Sequence, residues 1–302
     1  MITISIFLPS YPGQPVSTNK TFRRFIYRLP CKYVFVNVGE ATCKSILNKS
    51  GIEGVEYAIN PYIGCTHGCV YCYARFMTRW YHPGEKWGTF VDIKKNAIEC
   101  LNKDIKSKKP GKILLSSVTD PYQPVEKEKE ITRNILKILK DHTFPVNILT
   151  KSDLVIRDLD IISNMFDVEV GLTITCYYDE ARKIFEPRAS PINARIEALQ
   201  NFSDIGISTY AFLGPLLPYL SEERLDLLLN NLADKVGRVI VDRLNIKAGN
   251  WKTIKLALKD NYPNLLDLFQ EACGVESKYY SMLGNVLRRE LDKRAIEYDM
   301  LF

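Results

Sequence analysis

The sequence predicts an α/β fold arranged as a partial (β/α)6 barrel. A basic N-terminal extension over residues 1–50 precedes it, and a helical region over 249–302 follows the core of 51–248. Three observations carry this. Short β-rich runs alternate with stretches of helical period, which is how parallel βαβ units read. The β-rich runs are nearly continuous in apolar residues, as strands covered by helices are. The chain has 302 residues, 46% of them hydrophobic, enough to bury a large core.

The elements follow in order. "YAINPYIG" (57–64) is the first barrel strand and "KILLSSV" (112–118) the second. "EKEITRNILKILKDH" (128–142) carries a helical stripe at Ile131, Ile135, Ile138 and Leu139. "FPVNILTKS" is the next strand, and "LVIRDLDIISNMF" the next helix. "VEVGLTITC" (168–176) is a strand. In "SPINARIEALQNF", Ser190 is the expected N-cap, with Pro191 at the first helical position. "GISTYAFLGPLL" (206–217) is a strand, "SEERLDLLLNNLADKV" (221–236) a helix capped by Ser221, and "GRVIVDRLN" (237–245) the sixth strand. In such sheets ligands enter at the C-terminal ends of the strands.

Composition narrows the function classes. No apolar run reaches the roughly 20 residues of a membrane span. The opening "MITISIFLPSYPG" lacks the basic n-region of a signal peptide, so a cytoplasmic location is expected. The net charge of +6 is concentrated early. Residues 1–50 hold seven basic side chains (Lys20, Arg23, Arg24, Arg28, Lys32, Lys44, Lys49) against one acid, Glu40. That arm is either solvated chain or a contact for a phosphate backbone.

Eight cysteines in a reducing compartment read as metal ligands where they cluster and as small buried hydrophobes where they do not. Three cluster: "CTHGCVYCYAR" places Cys65, Cys69 and Cys72 as C-x3-C-x2-C. Three thiolates do not close a four-coordinate site. Either His67 completes a zinc site, or the thiolates hold a [4Fe–4S] cluster with one iron open to a small molecule. Structural zinc motifs come as two close pairs, and no second pair exists here.

The spacing, with Tyr71 before the last cysteine, resembles the radical S-adenosylmethionine superfamily. "NPYIGCTHGCVYCYAR", "SSVTDPYQPVE" and "LTKSDLVIRD" are similar to its spore photoproduct lyase-related branch. The resemblance implies that Cys65, Cys69 and Cys72 ligate a [4Fe–4S] cluster. It implies that S-adenosylmethionine chelates the open iron and is cleaved to a 5′-deoxyadenosyl radical, with ferredoxin or flavodoxin as reductant. Further implied cofactor contacts are the flanking aromatics Tyr71 and Tyr73, Thr119 and Asp120 for the methionine amino end, and Lys151 with Ser152 near its carboxylate. Thr173 or Thr175 is the implied hydroxyl on the next strand. Spore photoproduct lyases carry a cysteine where Ser117 stands, and it returns hydrogen to the product radical. A serine O–H bond is too strong for that step.

Two residues remain as catalytic candidates. Tyr122, in a loop between Pro121 and Pro124, is either a substrate contact or part of a turn. Cys176 is either a hydrogen donor or a buried hydrophobe. Glu126 reads as a first-turn acid of its helix, and Glu186 and Arg195 as partners of each other. The expected substrate is a nucleic acid. The alternatives are a peptide or small metabolite, or a metal-bearing binding module without catalysis.

Overall fold

The computed structural model describes residues 23–28 and 33–302. Lys20, Cys31 and Lys32 of the basic segment lie outside them. The chain forms two compact units. One takes in the described residues up to Gly68, with Ala74–Thr150 and Arg157–Glu169; the other takes in Cys69–Tyr73, Lys151–Ile156 and Val170–Phe302.

The first unit opens with β1 (Arg23–Arg28) and β2 (Tyr33–Ala41), an antiparallel pair with Arg28 opposite Tyr33. This segment, expected as an extension, pairs into a sheet. Its alternation is that of a strand, with Val36 and Val38 buried and Phe35 and Glu40 exposed. The strands β3 (Leu47–Lys49), β4 (Tyr57–Ile59), β5 (Tyr62–Ile63) and β6 (Phe90–Lys94) follow. A four-stranded sheet runs β1-β2-β6-β5, with β2 and β6 parallel. Val36, Val38, Tyr62, Val91, Ile93 and Val125 form its core. The expected strand 57–64 is therefore split: β4 pairs with β3, and β5 turns away to pair with β6.

β7 (Ile113–Leu115) and β8 (Val146–Thr150) join β4 in parallel, in the order β3-β4-β7-β8. β7 ends three residues before the apolar run does. The Ser117 and Val118 amides donate to Asn60 Oδ1 at 3.1 and 3.0 Å, which turns the chain out of the sheet. The helix expected over 128–142 is two helices, Glu126–Lys129 and Ile131–Leu139, broken at Glu130 by a left-handed φ of 51°.

β9 (Val168–Thr173) leads into the second unit. There β10 (Ser208–Leu216), β11 (Arg238–Arg243) and β12 (Glu297–Met300) run parallel in chain order. Helices Ile192–Asp204 and Leu225–Leu232 provide the crossovers. The C-terminal region is helical over Asn250–Asn261, Leu266–Ala272 and Tyr279–Asp292, as expected, and then adds the strand β12.

Neither predicted serine cap is used. Ser190 donates to Asp153 at 2.6 Å, and Pro191 occupies the cap position. Ser221 accepts from the Leu217 amide at 2.7 Å and donates to the Thr175 carbonyl, and its helix starts only at Leu225. In both cases a tertiary partner outcompetes the local amides.

Candidate active site

The cysteine loop leaves β5 at Gly64, whose φ is +87°. A side chain there would bring Cβ within 2.7 Å of the Phe90 ring, so only glycine fits. In the first unit the residues from Gly64 to Gly68 are held by uncharged hydrogen bonds to the main chain. The Gly64 carbonyl accepts from Thr119 Oγ1 at 2.6 Å and from Gln123 Nε2 at 3.3 Å. Gln123 Oε1 accepts from the Thr66 amide at 2.8 Å and the Thr66 hydroxyl at 3.1 Å. The Gly68 amide donates back to the Cys65 carbonyl at 3.3 Å.

His67 is buried, with Nδ1 3.4 Å from Asp120 Oδ2. Asp120 Oδ1 also accepts from the Tyr122 amide at 2.9 Å and Thr150 Oγ1 at 2.6 Å. His67, the zinc alternative's fourth ligand, is thus turned toward a carboxylate. Ser117 Oγ accepts from Asn60 Nδ2 at 3.1 Å, so the loop carrying Ser117, Thr119 and Asp120 is locked onto Asn60.

The second unit also holds the main chain of Cys69–Tyr73 by uncharged hydrogen bonds, and adds a buried ion pair. The Val70 amide donates to the Phe185 carbonyl at 2.8 Å. The Val70 and Tyr71 carbonyls accept from Thr253 Oγ1 and Asn250 Nδ2, each at 2.8 Å, on the helix Asn250–Asn261. The Tyr71 hydroxyl donates to Glu186, and Arg195 Nη2 pairs with the same carboxylate at 2.5 Å. Both side chains of that ion pair are 0% exposed. Arg195 also donates to the Thr173 and Ser190 carbonyls at 2.8 and 2.9 Å, and Thr175 Oγ1 donates to Glu186 at 3.2 Å. Glu186 and Arg195 therefore pair, as expected from the sequence. Lys151 Nζ stands 6.0 Å from the centre of the Tyr71 ring, and the Ser152 hydroxyl accepts from the Leu154 amide at 3.3 Å.

The electrostatics follow from burial and these charges. Burial pushes the Cys69 thiol up to about 12, against the pull of Lys151 and Arg195. Burial also disfavours the charged form of Glu186. Arg195, Lys151 and the Tyr71 hydroxyl nevertheless hold it below the usual carboxylate range. The Tyr71 phenol is driven well up by burial and by Glu186. At the end of β11, burial raises Asp242 to about 6. Asp242 is an electrostatic neighbour of Tyr73, whose side chain is more than a third exposed.

The catalytic candidates are placed plainly. Tyr122 is fully buried in the first unit, its ring 6.0 Å from the Arg157 guanidinium. Burial, with Asp158 and Glu126, pushes its phenol well up. Glu126 is no surface first-turn acid. It is buried and accepts from the Thr132 and Arg133 amides, Arg157 and the Tyr62 hydroxyl. Cys176 is buried, donates to the Tyr178 carbonyl at 3.2 Å, and has its thiol raised to about 12 by burial.

None of Cys43, Cys65, Cys69, Cys72, Cys100, Cys176 and Cys273 is in a disulfide. Among the described residues no three His, Cys, Asp or Glu side chains gather tightly enough for a single shared ion. A cubane cluster asks something else, one thiolate on each of three irons. The donor set fits that demand: three thiols in eight residues, Cys65 and Cys69 buried, and cations beside Cys69.

The sequence model of the Radical SAM superfamily matches residues 59–232. The chain belongs to the radical SAM superfamily. It is 35% identical to the uncharacterized protein MJ0683 of Methanocaldococcus jannaschii over 86% of this chain and 97% of that one. It is 30% identical to the uncharacterized protein Rv2578c of Mycobacterium tuberculosis over 77% and 72%. Among solved structures, spore photoproduct lyase complexed with dinucleoside spore photoproduct has a TM-score of 0.63 at 16% identity, over 88% of this chain and 81% of that one. Streptococcus suis SuiB bound to S-adenosylmethionine has a TM-score of 0.51 at 13% identity, over 80% and 48%. At these identities the likeness to both is one of fold. The radical SAM core of the chain contains the cysteine loop and the Thr119, Lys151 and Thr173 positions. Among the described residues no helix is long and apolar enough to cross a membrane.

Proposed function

We propose that this chain is a radical SAM enzyme. Cys65, Cys69 and Cys72 hold a [4Fe–4S] cluster, and the chain supplies a partial (β/α)6 barrel around it. The observation that carries the reading is the cysteine loop within the superfamily match, its main chain fastened on both sides of Gly68. Bound and reduced by ferredoxin or flavodoxin, the cluster and S-adenosylmethionine supply a 5′-deoxyadenosyl radical that removes hydrogen from a substrate. The chain's own part is to position and enclose. Lys151 and Ser152 meet the cofactor carboxylate, where a cation suits an anion. Thr119 and Asp120 serve its amino end, Thr173 or Thr175 offers a hydroxyl, and Tyr71 and Tyr73 flank it.

The substrate we propose is a nucleic acid, modified or repaired in the cytoplasm. The basic surplus of residues 1–50 and a fold shared with a lyase solved on a dinucleoside lesion support this. Ser117 sets the chain apart from lesion reversal through a cysteine at that place. Hydrogen return falls to Cys176, and Tyr122 is the candidate substrate contact. A peptide substrate is the second reading, favoured by the fold shared with SuiB, which was solved with its precursor peptide.

The test is anaerobic. Iron and sulfide are supplied, the protein is reduced, and 5′-deoxyadenosine is measured against Cys69→Ala. Wild-type product with none from the variant is expected. Zinc bound in place of iron, with no product, would leave a binding module. Binding to DNA or RNA that weakens steeply with salt separates the nucleic-acid reading from the peptide one.

A further inference from the structure

Two cysteines outside the trio meet in the first unit. Cys43 follows β2, and Cys100 lies in the helix Ala97–Ser107. Asn96, the residue before that helix, joins them. Its Oδ1 accepts from the Cys43 amide at 2.9 Å, and its Nδ2 donates to the Cys43 carbonyl at 2.8 Å. The same side chain reaches both sulfurs, at 3.6 Å for Cys43 and 3.4 Å for Cys100. Cys100 Sγ donates to the Cys43 carbonyl at 3.2 Å. The Cys43 main chain is thus locked against the residue that Cys100 packs on. Lys94 is an electrostatic neighbour of both thiols. Cys43 is partly exposed and Cys100 is buried.

We propose that Cys43 and Cys100 form a disulfide by exchange with a low-molecular-weight disulfide, fastening the end of β2 to the helix Ala97–Ser107. The partly exposed Cys43 thiolate attacks one sulfur of the small disulfide and releases one small thiol. The Cys100 thiolate then attacks Cys43 in the mixed disulfide and releases the second. The cysteines lose two electrons and two protons, and one small disulfide becomes two small thiols. Cys100 Sγ already lies 3.2 Å from the Cys43 carbonyl and both sulfurs sit on the one Asn96 side chain, so the bond asks for a turn of the two cysteine side chains.

Burial raises the Cys43 thiol to about 12, with Lys94 opposing, so its thiolate is scarce and exchange is slow at neutral pH. Once formed, the bond is shielded by the same burial. These properties describe a lasting staple rather than a fast switch. It closes a loop of roughly 57 residues, so the chain-entropy model raises Tm by about 7 °C.

The intact protein is incubated anaerobically with oxidised glutathione at pH 8.5, alkylated and digested with trypsin without reduction. The expected product is one species joining YVFVNVGEATCK (33–44) to NAIECLNK (96–103). It should be absent from Cys100→Ser and accompanied by a Tm rise of about 7 °C that a phosphine reductant reverses. Recovery of both cysteines alkylated overturns the proposal, as does Cys43 carrying glutathione with Cys100 alkylated. The trio lies on a different tryptic peptide, so cluster chemistry does not enter the readout.

Discussion

The two halves of the cysteine loop both have their main chain held by neutral hydrogen bonds and differ in the charged groups beside them. From Gly64 to Gly68 a neutral amide, Gln123, grips the Thr66 amide and the Gly64 carbonyl with both ends of one side chain, and His67 lies against the Asp120 carboxylate. From Cys69 to Tyr73 a fully buried ion pair, Glu186–Arg195, reaches the loop through the Tyr71 hydroxyl. Neutral hydrogen bonds are inexpensive to bury and modest to lose. A buried charge is tolerable only while its partner is present. The halves should therefore fail by different amounts and with different pH dependence.

The largest effect falls on the charged half. Glu186→Ala leaves Arg195 buried without its carboxylate, and removal of one partner of such a pair costs about 3–5 kcal/mol. Urea unfolding of the cluster-free protein measures it. Iodoacetamide should then label Cys69 and Cys72 faster, with Cys65 little changed. Equal acceleration at all three cysteines would erase the distinction between the halves.

A change of opposite sign comes next. Asp242 is raised to about 6 from an ordinary carboxyl value, so the fold favours its protonated form. Its destabilising influence therefore grows as pH climbs from about 4 to 6 and is complete above that. Asp242→Asn should stabilise by about 1–2 kcal/mol at pH 7.5, and the gain should shrink steadily below pH 6. A gain independent of pH would show that packing, not charge, governs that strand end. In the neutral half, Gln123→Ala removes both grips on the loop and should cost about 1–3 kcal/mol. The loss should be nearly flat with pH, and faster alkylation should appear at Cys65.

Much of this was legible from local pattern. The strand–helix alternation and the thiol spacing are short-range signals, and both reappear in the structure. What local pattern hides is competition from distant residues. Ser190 and Ser221 carry every local mark of a helix cap, yet Asp153 and Thr175 engage them first. Glu126 looks like a surface acid because Arg157 and Tyr62, its partners, lie far away in sequence. β2 reads as a strand by its own alternation, but its parallel partner β6 begins at Phe90, some fifty residues on. Asn250 and Thr253 sit about 180 residues from the loop they hold, and nothing near them in sequence signals it.

The smallest predicted effect tests that last contact. Thr253 Oγ1 donates to the Val70 carbonyl at 2.8 Å and to its own helix, at the Asn250 carbonyl, at the same distance. Thr253→Val keeps the shape and removes the hydroxyl. The Val70 carbonyl loses one donor, while the Val70 amide still holds Phe185. The loss should be about 0.5–1.5 kcal/mol, the net worth of a single neutral hydrogen bond. Hydrogen exchange then locates it. Faster exchange at Val70 and Cys72, with Thr66 and Gly68 unchanged, means the C-terminal helix acts on the charged half alone. Faster exchange at Thr66 as well would mean that the two fastenings are coupled through the loop itself.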